Sequence, residues 1–95
     1  MKLAWTPDAR ADREAIYTHI EKDNPRAALE LDEMFASRVA HLASHPMIGR
    51  PGRVANTREL VVHPNYVLIY DIAGERIRIL RVLHTARRWP PEKER

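Results

Sequence analysis

The sequence predicts an α+β domain running β-α-α-β-β-β, with a helical hairpin packed on one face of a small antiparallel sheet. Three observations predict it. Two proline-led helix starts follow one another in the first half, three stretches rich in β-branched and aromatic residues fill the second, and short Gly, Pro and Asn turns separate those stretches. At 95 residues the chain is expected to form one domain spanning 1–95, with residues 88–95 a flexible basic tail.

Lys2-Leu3-Ala4-Trp5 reads as a short first strand. Thr6-Pro7-Asp8 then supplies a hydroxyl cap, a proline at the first helical position and an acid facing the positive helix end. Ala9, Ile16, Tyr17 and Ile20 recur at helical spacing, with Arg10, Arg13, Glu14 and Glu21 off that stripe. Asp23-Asn24-Pro25 ends this helix and starts the next by the same device, Asn24 being the cap. In the second helix Ala28, Leu31, Phe35, Val39 and Leu42 step by three or four residues and make one apolar face, which Ser44-His45-Pro46 closes. So short a connection forces the two helices into an antiparallel hairpin.

Residues 46–57 are punctuated by Gly and Pro and read as loop. Strand signals follow. Arg58 to His63 precedes a Pro64-Asn65 turn, and Tyr66 to Ile72 is β-branched, aromatic or aliphatic except at Asp71. Ala73-Gly74-Glu75 turns the chain into Arg76 to His84, which alternates and then loses alternation at Ile79-Leu80. Two apolar faces at that point predict a central strand or a bulge. From Thr85 onward the chain is polar and basic, and Pro90-Pro91 ends regular structure.

Bulk properties exclude several classes. Without cysteine, neither disulfides nor thiolate metal sites can support the fold, which suits a reducing cytoplasm. The opening Met1 to Asp8 breaks after three apolar residues, and no stretch reaches the ~7–15 apolar residues of a signal peptide or the ~20 of a span. A soluble, cytoplasmic protein without a membrane partner is expected. The net charge of +3 is unevenly divided: residues 1–49 hold six Lys/Arg against eight Asp/Glu, and residues 50–95 hold ten against five. The second half therefore carries the field that attracts a polyanion or an acidic protein, unless its arginines only solubilise.

His41 and His45 sit four apart, a zinc-ligand spacing, yet no third ligand is suggested nearby. Histidines at a helix end more often complement the helix dipole, so no metal and no cofactor is expected. Gly49 and Gly52 do not make a phosphate loop, and Ser37 and Ser44 lack a nucleophile elbow. What remains is a basic and aromatic collection on or beside the sheet: Arg50, Arg53, Arg58, His63, Tyr66, Arg81, His84, Arg87 and Arg88. Metal-free RNA cleavage needs a base, cations for the phosphorane and an acid, and these side chains could supply all three. A basic binding surface would have the same composition. Arg81 interrupts an apolar strand, and an unpaired guanidinium is costly to bury. It must therefore reach solvent, a ligand, or a cross-strand acid such as Asp71 or Glu59.

The stretch Arg58-Glu59-Leu60-Val61-Val62-His63-Pro64-Asn65-Tyr66-Val67-Leu68-Ile69-Tyr70, continued by Arg81-Val82-Leu83-His84-Thr85-Ala86-Arg87-Arg88-Trp89-Pro90, resembles the C-terminal half of RelE/ParE-superfamily toxins, the ParE branch most closely. The helices and the His45-Pro46…Gly49 loop fit as well, so the resemblance spans the chain. It implies a toxin of a type II toxin–antitoxin system, a class that includes plasmid-stabilisation modules, which inhibits bacterial growth and is neutralised by a cognate antitoxin. ParE-like members bind and poison DNA gyrase; the alternative, RelE-like activity, is cleavage of mRNA on the ribosome. Only Arg50 and Arg53 stand where nuclease members carry loop lysines, Val61 stands where one nuclease branch has histidine, and Thr85 rather than tyrosine follows His84. On the nuclease alternative the catalytic residues would be Arg81, His84, His63 and Arg58. The surface for target or antitoxin would comprise Arg50, Arg53, Tyr66, Arg87, Arg88 and Trp89.

Overall fold

In the computed structural model, which describes residues 1–86, the first half of the chain forms one strand and two helices. β1 (Lys2–Trp5) leads into α1 (Pro7–Glu21), and α2 (Pro25–Leu42) follows after three residues. Thr6 Oγ1 accepts the Ala9 N–H at 3.2 Å and Asn24 Oδ1 accepts the Ala27 N–H at 3.0 Å, so both predicted caps satisfy a backbone donor that the helix leaves orphaned. Arg13 of α1 forks onto the Asp32 carboxylate of α2 and lies over the Trp5 ring, 4.8 Å from its centroid, which fixes the hairpin against the sheet.

The second half forms β2 (Arg50–Pro51), β3 (Thr57–His63), β4 (Tyr66–Ala73) and β5 (Arg76–His84). One five-stranded sheet runs in the order β1-β5-β4-β3-β2. The turn between β4 and β5 carries Gly74 at φ 63°, a left-handed conformation that glycine adopts without steric cost. All five residues of the predicted α2 stripe are buried, and four of them, Leu31, Phe35, Val39 and Leu42, pack with Ala9, Val62, Leu68, Tyr70, Ile77, Ile79 and Val82 into one core. Phe35 sits at its centre, 1% exposed, with its ring edge-on to Tyr66 at 5.6 Å.

The structure departs from the sequence reading in two respects. The sheet is mixed, because β1 lies parallel to β5 while β2 to β5 are antiparallel to their neighbours. β1 feeds directly into the helical layer, so it joins the sheet across that layer and not through a hairpin. In addition, Arg50–Pro51, read as loop, pairs with Arg58 and Glu59 as an edge strand. Two residues flanked by Gly and Pro are too few for alternation to show, and proline is tolerated there only because the position is an edge.

The break in alternation at Ile79-Leu80 is both of the things it suggested. β5 is central, between β1 and β4, and its register on β4 shifts from Tyr70↔Ile79 to Ile69↔Arg81, leaving Leu80 as the extra residue of a bulge. Thr6 caps the same spot, its Oγ1 donating to the Ile79 and Leu80 carbonyls.

Candidate functional site

The bulge positions Arg81. Beyond Ile79 the partner strand β1 has ended, and α1 lies along the exposed edge of β5. Asp12, on the second turn of α1, meets that edge: Arg81 Nε and Nη2 donate to its two carboxylate oxygens at 2.7 and 3.0 Å, and the Val82 N–H donates to Oδ2 at 3.0 Å. One carboxylate thus satisfies a guanidinium and an orphan strand donor together. The hydrogen bond to Asp12 raises the Arg81 pKa above its ordinary value, against an opposing desolvation. The cross-strand acids expected for Arg81 are engaged elsewhere, Asp71 with Arg78 and Glu59 with Arg50. That expectation is corrected by the bulge, which leaves this part of β5 beside α1.

His63, Tyr66 and His84 end β3, begin β4 and end β5, and register aligns them in a row across the sheet. The Tyr66 centroid lies 5.8 Å from that of His63 and 5.5 Å from that of His84. Each imidazole Nδ1 accepts the N–H of the turn residue two positions on, Asn65 and Ala86, at 3.0 and 3.1 Å. The remaining ring nitrogen, Nε2, is therefore the one available to a ligand. Beside the row runs a groove of about 440 Å³ lined by Asp12, Ala15, Ile16, His19, Tyr66, Val82 and His84. His19 was not singled out in the sequence; it is exposed, and its spacing of seven residues from Asp12 and three from Ile16, which sets the three along one flank of α1, was the available signal. Among the described residues neither lysine nor arginine lines this groove.

Arg58 turns toward the α2–β2 loop, where its Nη1 donates to the Gly49 carbonyl at 2.6 Å and to the Met47 carbonyl at 3.4 Å. Tyr70, wholly buried, fastens the same loop: its hydroxyl accepts the Gly49 N–H at 2.9 Å and donates to the Pro46 carbonyl at 2.8 Å. Arg50 is exposed and pairs with Glu59, whose other oxygen accepts the Arg53 N–H, while the Arg53 side chain projects to solvent. The structure thus brings His63, Tyr66 and His84 together and places Arg81 close by on the α1 side. Arg50, Arg53 and Arg58 gather around the loop at the opposite edge strand. Arg87, Arg88, Trp89 and the tail expected over 88–95 lie outside the described residues.

His41 and His45 stack at 4.3 Å with 20° between their planes, and among the described residues no three His, Asp or Glu side chains converge as metal ligands. Among the same residues no helix is long and apolar enough to cross a membrane.

Comparison with known proteins bears on what this arrangement serves. Residues 3–89 match the family model described as the ParE toxin of the type II toxin–antitoxin system, parDE. The chain is 38% identical over 90 residues to a Sinorhizobium fredii protein designated toxin Y4kP, covering 94% of this chain and 93% of that protein. It is 37% identical over 86 residues to toxin RelE2 of Caulobacter vibrioides, covering 90% and 97%. A solved structure titled chromosomal ParDE TA system from P. aeruginosa superposes with a TM-score of 0.79 at 31% identity, covering 88% of this chain and 95% of that one.

Proposed function

The chain belongs to the ParE toxin family of type II toxin–antitoxin systems, and on that premise we propose that it is a single-domain cytoplasmic toxin that arrests growth by binding DNA gyrase. A cognate antitoxin holds it neutral until that antitoxin is lost, and a replicon encoding both is thereby stabilised.

The observation that carries the binding mode is the closed ion pair of Arg81. Cleaving RNA without a metal demands cations free to meet the phosphorane charge as it develops. Arg81 is bidentate on Asp12, and Arg58 is spent on two loop carbonyls. The histidine row keeps its ring nitrogens, but among the described residues the groove beside it is lined by neither lysine nor arginine. This favours a surface that grips over one that cuts.

The test uses the purified chain in two assays. It should block supercoiling by gyrase or trap gyrase-cleaved DNA, and the cognate antitoxin should relieve the effect. Primer extension on cellular mRNA during expression should show no codon-register cuts. Cuts on mRNA with supercoiling left intact would replace this proposal with ribosome-dependent cleavage.

A further inference from the structure

The α2–β2 loop combines two properties that seldom coincide without a partner. Its backbone is fixed at several points: Tyr70 bridges the Gly49 N–H and the Pro46 carbonyl, Arg58 holds the Met47 and Gly49 carbonyls, and the Ile48 N–H donates to His45. Yet the side chains at its tip face water, Met47 61% and Ile48 50% exposed. A buried tyrosine and a partly buried arginine are thereby committed to presenting two large apolar groups to solvent. Such rigidity lowers the ordering cost of a contact.

The surroundings extend this tip into a surface. In the sheet order the β3–β2 edge lies on the α2 side of the molecule, away from α1. Asp32 binds Arg13 and so marks the α1-facing flank of α2; Met34 and Arg38 fall on the opposite flank by helical angle. Met34, on that flank, is exposed. The charges here are mainly basic. Arg38, Arg50 and Arg53 are exposed, and the nearby carboxylate of Glu59 is already engaged by Arg50 and by the Arg53 N–H.

Resting on the reading of the chain as a binding toxin, we propose that Met47 and Ile48 form the knob by which it docks into an acidic-rimmed apolar pocket on a folded protein, its growth target. The shape argues for a folded partner. A fastened, convex tip needs a preformed hollow to receive it, whereas a segment that folds on binding brings no hollow and seats better in a groove. A groove of that kind lies elsewhere, beside Tyr66 and His84. Charge complementarity argues for the acidic rim, with Arg38, Arg50 and Arg53 around apolar anchors.

The experiment replaces both anchors, Met47→Ser with Ile48→Ser, in the full chain, and uses Leu29→Ser as a control. Leu29 is 49% exposed on the outer face of α2, away from the loop. Because all three side chains already face water, thermal unfolding should stay close to that of the parent. The inducer needed for growth arrest should rise by about tenfold or more in the double variant and not in the control, while capture of the purified chain by its antitoxin stays within about threefold. Unchanged arrest in the double variant, an equal loss in Leu29→Ser, or a loss of antitoxin capture in place of arrest would each overturn the proposal, the last by assigning the knob to the antitoxin. If the parent chain itself fails to arrest growth, the toxin reading falls first and takes the knob with it. Normal arrest by the parent and by the double variant removes the knob alone.

Discussion

At the scale of single residues, Asp12 does more than neutralise Arg81. It also accepts the Val82 N–H, the donor that β5 exposes where β1 ends. Replacing it with alanine orphans a guanidinium and a strand N–H at a site where the two side chains are 26% and 14% exposed. Partial exposure tempers the loss, so Asp12→Ala should cost about 2 kcal/mol in urea unfolding. A cost below about 0.5 kcal/mol would mean that water replaces the carboxylate freely. The pH dependence follows from the raised Arg81 pKa, whose largest cause is the Asp12 hydrogen bond. A raised folded-state pKa contributes stability that is fully present below the unfolded value and is lost only as pH climbs through the folded one. For arginine both lie above the working range, so the arginine's contribution should be the same at pH 6 and pH 9. This pair was only half legible in the sequence. That Arg81 needed a partner followed from an arginine in an apolar strand, but the partner lies 69 residues away across a parallel strand order that no local pattern encodes. The acids named for it, Asp71 and Glu59, were reasonable for a sheet without a bulge.

At the scale of elements, the helices were the most legible part of the chain because their signals are local. A cap, a proline and a stripe at helical spacing all fall within a few residues of one another, and Thr6, Asn24 and the stripe from Ala28 to Leu42 appear where they were expected. The strands were legible by composition and the bulge by the break at Leu80, whereas β2 and the parallel edge strand were not, since both depend on contacts distant in sequence. The α2 stripe also has the clearest energetic consequence. Phe35 is 1% exposed and sits edge-on to Tyr66, which in turn touches both His63 and His84. Phe35→Ala should therefore cost about 3–5 kcal/mol in chemical denaturation, as expected for an aromatic residue removed from a core that cannot collapse around the void. In a chain this short that loss is a large share of the total stability. A loss under about 1 kcal/mol would show that α2 does not press on the sheet through this residue.

At the scale of the whole molecule, the charge division found in the sequence sets both helices and β1 apart from the other four strands of the sheet. β1, α1 and α2, with their connections, come from residues 1–49, where acids exceed bases, and β2 to β5 come from the half where bases predominate. Arg50, Arg78 and Arg81 are paired within the fold, but Arg53 and Arg76 are exposed on the sheet side. Pairing removes little of the long-range field, because an ion pair cancels charge at its own site and the excess of arginine persists around it. An acidic antitoxin should therefore be drawn toward the sheet layer before any apolar contact forms. Diffusional steering of this kind acts on encounter and is screened within a Debye length of ~10 Å at 0.1 M salt. Raising NaCl from about 50 to about 300 mM should then slow association with the antitoxin by about tenfold in stopped-flow mixing, with dissociation changing by less than about threefold. The reverse pattern, a constant association rate with dissociation accelerating in salt, would place the governing charges inside the bound interface. A rate indifferent to salt in both directions would mean that this charge division plays no part in capture, leaving apolar contact as its source.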